Sequence, residues 1–274
     1  MAPIAEFFGF DPEDSSPRAA SYRDARRCPF LEAPCVKVSN GVALGTCTKS
    51  RSDGDPVIIC PKRFHAEGEA VVEIIAREAV PGRRLAVVPE VPVGRPLGRM
   101  DWVLAEVNAD GKVQGRMYGV EAQAVDTTGS LKPYVEAYFT NGTWLGVEHA
   151  SGINWRNVWK RIVPQILAKG RLYEAFGTKL FVVMQDVLVD YLRDDLRLEP
   201  ARRGEAPNVV FYSFRLVRAT RANGYELVVR ERFETTLRRI EYAVGDVAAL
   251  PSQAEVARAV ELRLRETGSP NRGS

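Results

Sequence analysis

Two β-rich runs flank the dipeptide Asp110-Gly111 within residues 99–130. An Asp-Gly pair between such runs is a strong local signal for an antiparallel hairpin. Folding about residues 110–112 sets Asp101 opposite Glu121, since the two lie equally far from Gly111. Directly opposed residues on an antiparallel pair share a face, as do Glu121 and Gln123, two apart on one strand. The spacing therefore brings Asp101, Glu121 and Gln123 to one spot, on condition of an odd loop of about three residues or a bulge. A tight two-residue turn would send Asp101 to the opposite face. Two carboxylates beside an amide suit a hard divalent cation such as Mg2+, which takes a few carboxylate oxygens and keeps some of its waters. Such an ion activates water and stabilises charge on a phosphate in transfer. The plainer reading is an exposed hairpin carrying ordinary surface acids.

Residues 1–63 are of a different kind. They are rich in Pro, Gly, Ser and Arg, and they hold all four cysteines of the chain, Cys28, Cys35, Cys47 and Cys60. Thiolates at loop positions in a segment with little core of its own point to a closed, tetrahedral structural metal. Two disulfides or scattered buried thiols are the alternatives, and a reducing compartment argues against the first. Without a Cys-x-x-Cys pair a redox role has no support. Zinc and iron both accept four thiolates, and the spacing does not choose between them.

The 274 residues suffice for one substantial core, or one core with a small lobe. No apolar run is long enough to span a membrane and no basic-then-apolar leader opens the chain, so an intracellular protein is expected. With 38 basic against 35 acidic residues, any cationic partner surface must be local.

From residue 64 the chain becomes regular. An apolar stripe of Val71, Val72, Ile74, Ile75 and Ala79 predicts a helix over 64–79, with Glu67, Glu69, Glu73 and Glu78 around it. Glu73 could reach a metal at a neighbouring strand end, although a solvated helix glutamate is the simpler reading. A short strand over 84–89, a Pro/Gly-rich loop over 89–98 and the hairpin follow. Next come a helix ending near Tyr138, a loop over 141–152, a helix over 154–169 with Lys160, Arg161 and Lys169 as cations, and a buried strand over 179–184 closed by Gln185-Asp186. An amphipathic piece over 190–198 leads to a second hairpin over 208–236. It turns at Asn223-Gly224 and bears Arg215, Arg218, Arg221, Arg230 and Arg232. Such a ribbon could follow a phosphate backbone, or its arginines could simply cover a wet sheet face. A last helix is expected over 252–266. The two histidines, His65 and His149, have no partner motif and are read as structural or incidental.

The order helix, strand, hairpin, helix, strand, with Asp opening one hairpin strand and Glu-x-Gln on the next, resembles the PD-(D/E)xK nuclease core, an α/β/α sandwich around a mixed sheet. A closer resemblance is to the NotI-type restriction endonucleases. It is carried by Arg-Cys-Pro-Phe at 27–30, Cys-Pro-Lys-Arg-Phe at 60–64, Val-Glu-Ala-Gln-Ala-Val-Asp-Thr-Thr-Gly at 120–129, and the run from Lys160-Arg161 to Gln185-Asp186. The resemblance implies a cysteine-rich metal lobe over 1–63, a nuclease core over 64–200, and a basic hairpin and helix over 201–274 packed on that core. It implies a cytoplasmic bacterial type II enzyme, a homodimer cutting both strands of a short GC-rich palindrome in double-stranded DNA with Mg2+. A cognate DNA methyltransferase would act on the same site.

Carried over by position, Asp101 and Glu121 would bind Mg2+, and Gln123 stands where the motif usually has lysine. Glutamine can neither act as a base nor carry positive charge, so it would orient the attacking water or serve as a ligand. Water activation would then fall to the metal or to a neighbour such as Glu73. The four cysteines map onto the family's structural site, where iron is the expected ion. Arg116, Arg218 and Arg221 are candidate readers of guanine. Two rivals stand beside this reading: a metal-stabilised sequence-specific DNA-binding protein without cleavage, and a nuclease of the same core with a repair role.

Overall fold

The computed structural model describes residues 3–51, 53–65, 71–79, 81–82, 85–148, 151–219, 224–245 and 252–267. Its frame is a six-stranded mixed sheet of β1 (Leu85–Gly94), β2 (Gly98–Val107), β3 (Val113–Gln123), β4 (Leu180–Gln185), β5 (Val209–Arg218) and β6 (Tyr225–Thr235), in the order β6-β5-β4-β3-β2-β1. β4 runs parallel to both β3 and β5, and the other neighbours are antiparallel. All six residues of β4 are buried, as a central parallel strand covered on both faces requires. β1 is one of the two edge strands, β6 the other. β1 continues to Gly94 through Pro89 and Pro92, where a loop was expected. An edge strand tolerates proline because only one of its sides must supply ladder donors.

Seven helices accompany the sheet among the described residues: α1 (Pro17–Asp24), α2 (Val71–Ala79), α3 (Lys132–Asn141), α4 (Val163–Ala175), α5 (Asp186–Leu196), α6 (Leu237–Gly245) and α7 (Gln253–Thr267). On one face Val71, Val72 and Ile75 of α2 pack with Trp102, Leu104, Val120 and Val183. On the other face Val135 of α3, Ile166 and Tyr173 of α4, Leu188 and Leu192 of α5, and Leu237 and Ile240 of α6 pack with Val103, Val182 and Phe211. The result is a mixed α/β arrangement with helices on both sides. The side chains of α7 are exposed over residues 253–265.

The expected helix over 64–79 is described from Val71 to Ala79, as α2. A 3-10 turn, Pro61–His65, precedes α2, and Glu67 and Glu69 lie outside the described residues. The expected helix over 154–169 opens as a π turn, Val158–Ile162, and runs on as α4 to Ala175. The piece expected over 190–198 is α5, which begins at Asp186. α6 was not anticipated. The second hairpin extends the central sheet: β5 and β6 pair from Val209↔Thr235 to Arg218↔Tyr225, and its Asn223 lies outside the described residues.

The N-terminal region forms its own three-stranded antiparallel sheet of Ile4–Phe7, Thr46–Ser50 and Pro56–Ile58. Phe7, Phe8, Val57 and Ile59 sink into the same apolar cluster as α3 to α6, so this sheet closes one end of the sandwich.

Candidate active site

The register of the first hairpin positions the site. β2 and β3 pair Val120 with Trp102 and Gly119 with Val103, which sets Asp101 opposite Glu121 as the spacing predicted. The turn is an odd loop: Asn108 N–H donates to the Lys112 carbonyl (3.0 Å), while its side-chain oxygen accepts from Asp110 N (3.0 Å) and Lys112 N (2.9 Å). A register shift between Val113 and Met117 then moves the pairing by one face-preserving step. Gly115 lies within that shift at φ +133°, where a Cβ would meet Glu106 Oε2 at 2.4 Å. Without the shift Asp101 would face residue 119 instead. Both the loop and the bulge named as alternative conditions are present.

Asp101, Glu121 and Gln123 line one cavity of about 230 Å3, together with Ile59, Asp126 and Gln165 among others. Asp101 Oδ2 accepts from the Ala122 amide at 2.9 Å. Glu121 Oε1 accepts from Gln123 Nε2 at 3.2 Å and from Lys169 Nζ at 2.6 Å. Its Oε2 is buried and has no hydrogen-bond partner. Gln123 Nε2 also donates to Gln165 Oε1 at 3.1 Å, and Lys169 Nζ to the Arg99 carbonyl at 2.7 Å. At the mouth, Asp126 Oδ2 accepts from Asn157 Nδ2 (2.8 Å) and Arg161 Nη1 (2.6 Å).

Burial raises the Asp101 carboxyl above its ordinary range. Glu121 is pushed up to about 7 by burial first and then by the charge of Asp101, with Lys169 pulling the other way. Two carboxylates driven upward together, with one oxygen orphaned, make a site that a cation would relax.

Lys169 and Gln165 are the residues sequence reasoning missed in this role. Arg161, Gln165 and Lys169 recur at four-residue spacing through the π turn and α4, and each meets its own strand partner: Asp126, Gln123 and Glu121. That polar stripe at helical spacing, beside the apolar one, was the available signal.

Glu73 does not join the group. It is exposed on α2, whose apolar stripe packs on the sheet face opposite α4 and Lys169, and it does not line the cavity. The possibility that it reaches the metal site is therefore corrected, and the simpler reading of a solvated helix glutamate matches its exposure. Arg116 is exposed, five residues from Glu121 along β3 or roughly 16 Å at strand rise. Arg218 donates to Asp11 Oδ2 at 2.6 Å and lies over the Tyr225 ring at 4.9 Å. Arg221 and His149 fall outside the described residues. His65 stacks on Trp102 at 4.2 Å between centroids, and burial lowers its pKa to about 4.

All four cysteines are free thiols. They border one small cavity, of about 10 Å3, with Lys37 and Lys62 also on its wall. As placed, no three His, Cys, Asp or Glu side chains among the described residues come together tightly enough to hold a metal ion. Burial raises the thiol pKa of Cys28, Cys60 and, most strongly, Cys47. Ile59 and Pro61 line the carboxylate cavity while the neighbouring Cys60 and Lys62 line the cysteine cavity, so one short segment walls both.

The fold is thus a mixed sheet with helices on both faces, and two carboxylates stand opposed on adjacent strands of it. The family model for restriction endonuclease NotI matches residues 24–227, about three quarters of the chain. The chain belongs to that family, and it is a restriction endonuclease, a DNA hydrolase. A search of curated proteins finds no match. No helix among the described residues is long and apolar enough to cross a membrane.

Proposed function

We propose that this chain is a type II restriction endonuclease that hydrolyses both strands of a short, GC-rich palindrome with Mg2+ held by Asp101 and Glu121. The observation that carries the reading is the buried, partnerless Oε2 of Glu121 beside Asp101. The residues fit a hard cation in kind: two carboxylates on neighbouring strands, with the cavity open beside them. When bound, Mg2+ supplies a water of lowered pKa and positive charge for the phosphate oxygens. Asp101, fixed by the Ala122 amide, and Glu121 hold the ion. Gln123, held by Gln165, orients the attacking water through its amide.

A two-fold homodimer would bring two such sites to opposite strands and so mirror a palindrome. We read residues 1–63 as a lobe in which Cys28, Cys35, Cys47 and Cys60 hold one structural iron or zinc. The support is the donor set: four cysteines border one small cavity, and two lysines there would offset thiolate charge. Base reading would fall to exposed arginines such as Arg116, with a cognate methyltransferase protecting the host's sites.

The test is purified protein incubated with plasmid and phage DNA, with Mg2+ or with EDTA. Discrete fragments that need Mg2+ and share one pair of ends support the reading. Intact DNA under every divalent ion, with binding retained, would leave a DNA-binding protein without cleavage. Metal analysis of the same preparation should give one iron or zinc per chain.

A further inference from the structure

We propose that Lys169 on α4 does for this site what a lysine at position 123 would do, by holding Glu121 through Oε1 and leaving Oε2 as the cation's ligand. The assignment rests on the nuclease reading above and adds a positioning residue to it. Gln123 carries no charge, so the strand offers Glu121 only a neutral amide at 3.2 Å. The helix offers an ammonium at 2.6 Å.

The lysine is fixed at both ends of its reach. Its Nζ also donates to the Arg99 carbonyl, two residues before Asp101, so one ammonium ties together the two strands that carry the carboxylates. The Lys169 and Glu121 side chains are each only 6% exposed. An ammonium removed from water persists only where its partners are built in, and a lysine on a solvated helix face would not hold this geometry. Both donors converge on one oxygen of Glu121 and spare the other. A purely structural ion pair has no reason to leave a buried carboxylate oxygen without a donor. A metal ligand does.

The position follows from the helix. Gln165 is one turn before Lys169 and engages Gln123, so substitution at either strand position is felt by the helix residue opposite it. Moving the lysine from strand to helix therefore leaves charge and ligand in the same place while its tether changes.

The experiment compares wild type, Lys169→Met, and Lys169→Met combined with Gln123→Lys. It measures single-turnover DNA cleavage across a range of Mg2+ concentrations, and DNA binding in Ca2+. Lys169→Met should cut about a hundredfold more slowly and need more Mg2+ for half its own maximal rate, with binding unchanged. Returning a lysine at position 123 should restore at least about a tenth of the wild-type rate and the lower Mg2+ requirement. If Lys169→Met does not fold, Lys169→Gln, which keeps a donor without the charge, makes the same comparison. Wild-type rate and Mg2+ dependence in the lysine-less protein overturn the assignment alone, as does a slower rate that leaves the Mg2+ requirement unchanged. A wild-type protein that cuts no DNA overturns both this assignment and the nuclease reading.

Discussion

Two buried ion pairs of this protein look alike by distance and differ in what they leave over. In the N-terminal sheet, Glu6 and Arg63 have side chains 0% and 3% exposed. Arg63 Nε donates to both Glu6 oxygens, at 3.0 and 2.8 Å, and the Thr48 hydroxyl adds a third donor at 3.2 Å. Arg63 also donates to the Tyr225 carbonyl at 2.7 Å and covers the Phe30 ring. Every oxygen of that carboxylate is satisfied, and the pair fastens the N-terminal sheet to the central one. In the Glu121–Lys169 pair the donors crowd on one oxygen and the other has none. A saturated pair serves the fold; an unsaturated one, at a cavity, reserves a valence for something not part of the chain.

The largest expected effect breaks the second pair's function. Asp101→Ala/Glu121→Ala should lower Mg2+-dependent DNA cleavage by at least about a thousandfold, some 4 kcal/mol of barrier, while DNA binding in Ca2+ persists. Loss of binding together with cleavage would show that these carboxylates support the fold instead.

Next comes the first pair. Arg63→Ala strands a buried carboxylate and should cost about 3–5 kcal/mol, measured by urea denaturation. An unchanged midpoint would mean that Glu6 finds water, and the contrast between the pairs would weaken.

The two pairs should also part with pH. Glu121 titrates at about 7 in the fold against an ordinary 4.5, so its protonated form favours the folded state. The stability it lends is complete below pH 4.5 and is lost as pH rises through 7. In metal-free protein, the stability difference between wild type and Glu121→Gln should therefore move in the variant's favour between pH 5 and pH 8, by on the order of 3 kcal/mol. A difference that stays constant with pH would show that Glu121 is not held up by burial and Asp101.

The smallest effect concerns the packing behind the second pair. A Cβ at Gly119 would lie 2.3 Å from the Tyr173 ring and 2.7 Å from Met100 Cε. Gly119→Ala should destabilise by about 1–3 kcal/mol, read as a lowered urea midpoint.

How much of this was legible follows from which forces are local. The opposition of Asp101 and Glu121 is a matter of counting along a hairpin whose Asp110-Gly111 announces its turn, and the structure keeps that register. The shift at Gly115 was foreseeable only as a condition, because whether a bulge forms depends on the packing of both strands. The central strand β4 and the second hairpin announced themselves by continuous apolar burial and by alternation around a turn. Glu73 was left between two readings, and Lys169 went unassigned to the site, for one shared reason. A helix pattern says which residues face a sheet, but not which side of the sheet the helix occupies. α2 took the side away from Glu121 and α4 the side toward it, so the acid that could have reached the site is exposed and a lysine read only as a helix cation is buried against it. The cysteines were conspicuous by their grouping. That they border a common cavity depends on how the turns and strands of residues 28–60 come together, which no local pattern encodes.

The most direct measurement of the central claim is Mn2+ binding to the DNA-free protein, followed by paramagnetic resonance with Mg2+ as competitor. The four cysteines are left unmodified throughout. One saturable ion per chain, displaced by Mg2+ and absent from Asp101→Asn/Glu121→Gln, is the predicted result. Binding that is unaltered in the double variant would contradict the assignment of these two carboxylates as the cation site.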